Sequence, residues 1–143
     1  MEDKRIRQRL WDAINSDNVD RVRNILEENC VDPDIMLCNE TLPLLFLAKS
    51  YKMVKMLVEK DVDVEPLRWS SSLIRLFSYA LYTEESFEIL KLLVKKGADV
   101  YKRCDNGYDV MDYAKKMYVP EGNEQRQKLK DETIEFLKKY YKN

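Results

Sequence analysis

Ile89-Leu90-Lys91-Leu92-Leu93-Val94-Lys95-Lys96-Gly97-Ala98-Asp99-Val100 reads as a short amphipathic helix stopped by a glycine and followed by a tight acidic turn. Leu90, Leu93 and Val94 share one helix face, and Ile89 and Leu92 widen the apolar arc. Lys95 and Lys96 fall in the last turn, where cations suit the negative end of the helix dipole. Gly97 supplies the left-handed backbone that closes a helix, and Asp99 is placed to accept hydrogen bonds from turn amides.

Fainter copies of this string occur elsewhere. Residues Arg21 to Cys30 repeat the layout, with Asn29 expected in the stop position and Cys30 expected as a small buried residue equivalent to Ala98. Met53 to Val64 is a second copy, and Thr133 to Tyr140 a third, more decayed one. Aligning Val22, Val54, Leu90 and Ile134 gives spacings of 32, 36 and 44 residues, scattered upward from a helical-repeat period of about 33. Each copy has a companion upstream, in which Leu10, Leu44, Phe77 or Met111 precedes an alanine by three or four positions. A small residue there lets helices approach closely, so the unit is helix, turn, helix, loop.

The chain resembles an ankyrin-repeat protein. The family opens each repeat with Thr-Pro-Leu-His-x-Ala after a β-turn finger. The fullest match is Leu92 to Val100 followed by Asp105-Asn106-Gly107-Tyr108-Asp109-Val110-Met111-Asp112-Tyr113-Ala114. There Gly107 sits at the finger glycine, Asp109 replaces threonine as the N-cap, and Ala114 matches the alanine. Leu42-Pro43-Leu44-Leu45 resembles the opening without threonine or histidine, and the third repeat lacks it. Trp11, Leu45, Ser78 and Asp112 stand where the family carries histidine. The resemblance implies an all-α solenoid of stacked helix-turn-helix units with β-turn-like fingers, in one domain spanning 1–143. Its repeats would run 6–34, 37–66, 70–102 and 104–141, the first and last serving as caps. The last helix is expected from Asn123 or Glu124 to about Tyr141, with polar Lys138 where earlier repeats carry Leu26, Val58 and Val94.

Composition narrows the function. With 45% hydrophobic and 36% charged residues, the 143-residue chain suits a thin stack with a continuous core and a large surface. No histidine is present, which removes the commonest general base and metal ligand. Cys30, Cys38 and Cys104 are odd in number and unclustered, a poor zinc set and a poor disulfide framework. Phosphate-cradling glycine loops, serine elbows and Cys-x-x-Cys pairs are missing too, so neither catalysis nor a cofactor nor a metal is expected. A net charge of −1 and a pI near 5.7 argue against nucleic acid. The basic run Lys4, Arg5, Arg7, Arg9 reads as solubilising. A charged start and no long apolar run imply no secretory signal and no membrane, hence a reducing cytosol, that of its own cell or of a host.

What remains is protein binding, by a chain expected to be monomeric when free. The resemblance implies docking on the concave side, on finger tips and first-helix edges. By position this gives Arg7, Asn15 and Ser16, then Cys38, Asn39, Thr41, Lys49 and Ser50. The third repeat supplies Ser71, Ser72, Ile74, Tyr82 and Thr83, and the fourth supplies Arg103, Asp105, Asn106, Tyr108, Lys116 and Met117. Tyr101, which flanks the last finger, joins these, as do Arg68 and Trp69 in the loop 65–74. The expected action is to block or sequester a partner protein. The alternatives are a scaffold that self-associates or bridges two proteins, and a dedicated immunity-type enzyme inhibitor.

Overall fold

Asn18, Ser50, Thr83 and Asn123 each accept a hydrogen bond from the backbone amide three residues on, and each opens a helix. These capped helices alternate with others in the computed structural model, which describes residues 4–39, 41–68, 70–78 and 82–141. The order is α1 (Lys4–Asn15), α2 (Val19–Glu28), β1 (Met36–Leu37), β2 (Leu42–Pro43), α3 (Leu44–Leu47) and α4 (Tyr51–Glu59). Then follow α5 (Arg75–Ser78), α6 (Glu84–Lys95), α7 (Val110–Lys115) and α8 (Glu124–Lys138). The protein is therefore mostly helical, with one short hairpin in place of an all-helical chain. Helix α8 starts where the sequence places it and ends three residues earlier.

Three helix ends are built alike. The amides of Val31, Val62 and Ala98 reach back to the carbonyls of Leu26, Leu57 and Leu93 at 2.9, 3.5 and 2.9 Å. The residue before each is left-handed: Cys30 at φ +50°, Asp61 at +62° and Gly97 at +104°. Asp32, Asp63 and Asp99 then accept from the amide two residues on, each at 2.9 Å. This corrects the first copy by one position. Asn29 is the cap at φ −107°, Cys30 makes the turn and is exposed, and Val31 is the buried residue. The hydrogen bonds align Leu26, Leu57 and Leu93, at spacings of 31 and 36. Helix α8 ends without a left-handed residue.

A Cβ on Gly97 would meet nothing within 4 Å, so alanine there is opposed by backbone conformation alone. Gly97→Ala is expected to cost about 1 kcal/mol in urea unfolding, and Asp61→Gly to gain less than that. An unchanged midpoint for Gly97→Ala would contradict the left-handed assignment.

The chain forms two compact units, Met1–Pro66 and Leu67–Asn143. In the first, α1 packs on α2 and α3, and α4 packs on α2 and α3. Their shared core includes the fully buried Leu10, Ile14, Val22, Leu44, Met53 and Leu57. Polar contacts tie the same elements together. Ser50, which caps α4, donates to Asp17 at 2.8 Å, and Lys49 donates to the Asn15 carbonyl at 2.8 Å. The Lys60 ammonium, 2.7 Å from Glu27, holds that carboxyl below the usual range. β1 and β2 pair antiparallel, Met36 with Pro43 and Leu37 with Leu42, around left-handed Cys38 and Asn39.

In the second unit α8 packs on α6 and α7. Phe77 stacks on Tyr82 with ring centres 4.2 Å apart. Thr133 gives its hydroxyl proton to the Leu129 carbonyl, so at 3.1 Å it accepts from Tyr82. The Arg126 guanidinium donates to the Tyr82 carbonyl. Burial pushes the Tyr82 hydroxyl pKa up.

Candidate protein-binding surface

The segment from Asp99 to Asp109 is a loop whose polar groups bind one another. Cys104 donates its amide to the Tyr108 carbonyl at 2.9 Å, and Gly107 donates to the Cys104 carbonyl at 2.8 Å. Gly107, at φ +85°, provides the left-handed step that such a tight hairpin-like loop demands. Asn106 does two jobs. Its carbonyl accepts from the Tyr108 amide at 3.0 Å, and its amide donates to the Tyr113 hydroxyl at 3.1 Å. Arg103 donates to the Gly107 carbonyl at 2.7 Å and lies 3.8 Å from Asp112 and 4.0 Å from Asp109. Asp109 and Asp112 form a reciprocal cap that opens α7, with both bonds at 3.0 Å.

Side chains on the loop pack in a chain. The Tyr108 ring meets Tyr113 edge-on at 5.9 Å, and the Lys116 ammonium lies 4.9 Å from the centre of the Tyr108 ring. At the other side the Tyr101 ring meets Tyr141 at 5.0 Å, and its hydroxyl donates to the Tyr140 carbonyl. Tyr141 in turn donates to Asp109 at 2.9 Å and also reaches the Val100 carbonyl. Burial, reinforced by the Asp109 carboxylate, raises the Tyr141 pKa. Tyr140 and Tyr141, just after α8, thus fasten both ends of the loop.

Of the residues singled out from the sequence, Tyr101, Arg103, Asp105, Asn106, Tyr108 and Lys116 come together here and are exposed. Tyr101 keeps 56% of its surface and the Arg103 side chain 62%. Tyr82 and Met117 are corrections. They are 3% and 8% exposed, because Tyr82 folds onto Phe77 and Thr133 while Met117 turns inward after α7. Ser71, Ser72 and Ile74 are likewise buried while Thr83 is exposed, so position-by-position carry-over fails at four of the five positions of the third expected repeat. Arg68 is exposed, and Trp69 lies outside the described residues. Sequence reasoning missed the Tyr140–Tyr141 closure, for which the only signal was a tyrosine pair after the last helical stretch.

Among the described residues, no group of three or more cysteines and carboxylates is placed to hold a metal ion. No described helix is long and apolar enough to cross a membrane. Compared with models of known protein families the chain matches none, and no curated protein sequence matches it.

Proposed function

We propose that this protein is an ankyrin-type binding module that blocks or sequesters a partner protein and has no chemistry of its own. The observation that carries the reading is the loop from Tyr101 to Tyr108, exposed yet ordered by its own hydrogen bonds. Docking on a loop already held in one conformation sacrifices little entropy. Two exposed tyrosines and an arginine are the residue types that dominate binding energy at interfaces. The repeat assignment is supported by the succession of eight helices among the described residues and by the three matching helix ends. Stacking of α2 on α4 and of α1 on α3 supports it further. A surface of this kind suits an interface of about 800 Å² per partner.

The test is affinity capture with the full chain beside the double variant Tyr101→Ala/Tyr108→Ala. A stoichiometric protein held by the first and lost at least tenfold on the second is the expected result. Far-ultraviolet circular dichroism must be unchanged. Equal capture by a folded variant would remove the loop from the interface, and turnover of any substrate by purified protein would end the reading.

A further inference from the structure

We propose that Asn106 is a self-modification site: its side chain closes on the Gly107 amide, loses ammonia and reopens with water to aspartate or isoaspartate, at a rate set by opening of the folded loop. Of the asparagines in the sequence, Asn106 alone is followed by glycine. Gly107 has no side chain to hinder its nitrogen, and both residues are exposed, so water reaches them. The Gly107 nitrogen attacks Cγ of Asn106 and gives up its proton. The Cγ–Nδ2 bond breaks, and ammonia carries that proton away, leaving a cyclic imide. Water then cleaves one of the two ring C–N bonds. Opening at Cγ leaves aspartate on an unaltered backbone, whereas opening at the Asn106 carbonyl carbon leaves isoaspartate, with an extra carbon in the backbone. Water is the only reactant the chain does not itself supply.

One hydrogen bond primes the pair and two restrain it. The Tyr108 amide donates to Oδ1 of Asn106 at 3.0 Å, where negative charge grows as the nitrogen attacks. The Gly107 N–H, however, donates to the Cys104 carbonyl at 2.8 Å, and a proton so engaged is harder to lose. Nδ2 of Asn106 donates to the Tyr113 hydroxyl at 3.1 Å, which ties the side chain to α7. The loop is anchored in turn by Tyr101 on the Tyr140 carbonyl and by Tyr141 on Asp109 and Val100. Reaction therefore proceeds from the opened loop, and its rate follows the population of that state. Either product lacks the Nδ2 donor that held Tyr113. Isoaspartate also lengthens the backbone between Cys104 and Tyr108, so the bonds that close the loop at 2.8 and 2.9 Å cannot both survive. The change is irreversible, and it gives the ordered surface a lifetime.

The test incubates the purified full chain in mildly alkaline buffer and follows Asn106 by peptide mapping and mass spectrometry, with enzymatic methylation to count isoaspartate. Conversion is expected to be at least tenfold slower in the folded chain than in the same chain unfolded by guanidinium chloride. Tyr113→Phe and Tyr141→Ala should each speed it severalfold with far-ultraviolet circular dichroism unchanged. Were Tyr141→Ala to unfold, Tyr113→Phe, which loses a single oxygen atom, decides alone. A folded parent converting as fast as the unfolded chain, or a folded variant converting no faster than the parent, would overturn the proposal. A second arm rests on the binding role proposed above: converted chain, separated by ion exchange, should capture at least tenfold less partner. Fold-controlled conversion with undiminished capture would refute the lifetime given to the surface and the loop's place in the interface, and leave the chemistry at Asn106 standing.

Discussion

Leu57→Ala is expected to lower the unfolding free energy by about 3 kcal/mol, within the 2–5 kcal/mol usual for emptying a buried leucine site. Leu57 has no solvent exposure and belongs to the core shared by α1, α2, α3 and α4. Its backbone carbonyl also accepts from the amides of Lys60 and Val62 at 3.0 and 3.5 Å, so neighbouring backbone is tethered and resists collapse into the void. A site that cannot relax retains its cavity, and the cost rises with the cavity that remains. The thermal midpoint should fall by about 10 °C for a chain of this size. Leu47, only half-buried beside the same core, should lose less when truncated. A Leu57→Ala loss below 1 kcal/mol would mean that α4 does not rest on the elements described.

Local chemistry made α6 legible before any coordinates. Its apolar arc, terminal lysines and closing glycine all act within a few residues, whereas Thr83, expected on the docking face, instead caps its start. Asn123 opening α8 is legible for the same reason. The failures come from longer range. Asn29 is a good left-handed residue by type, yet burial of Val31 under the Leu26 carbonyl sets the register, and that puts Cys30 in the strained position. Tyr82 looked like an edge residue on a helix that, among the described residues, ends at Ser78. It is held instead by Phe77, by Thr133 fifty-one residues away and by Arg126. In the candidate loop, Gly107 and the Asp109 cap were readable, because turn and cap geometry dictate residue type. Tyr141 reaching Asp109 across 32 positions was not, since no periodicity links a helix end to a distant loop.

That contact sets up the second large effect. Asp109→Ala is expected to cost about 2–3 kcal/mol, whereas Asp109→Asn should cost under about 1 kcal/mol. Asp109 is 5% exposed and accepts from the Asp112 amide and the Tyr141 hydroxyl at 3.0 and 2.9 Å. Alanine removes the cap of α7 and deprives Tyr141 of its carboxylate acceptor, leaving it the Val100 carbonyl to donate to, while asparagine keeps an acceptor oxygen for one of these bonds and a good capping residue. Charge itself is a small part of the matter, because Arg103 approaches no nearer than 4.0 Å and its side chain is 62% exposed, a geometry that contributes little. Urea unfolding measures the two losses, and the near-ultraviolet circular dichroism of the tyrosines reports whether Tyr101 and Tyr141 remain packed. Equal losses for asparagine and alanine would assign the role to the carboxylate charge and its partner Arg103. If alanine costs the more, the hydrogen bonds of one buried side chain hold both the start of α7 and the end of the chain. The exposed tyrosines of the loop would then depend on that side chain for their fixed position, and partner binding should fall in Asp109→Ala even where the variant remains folded.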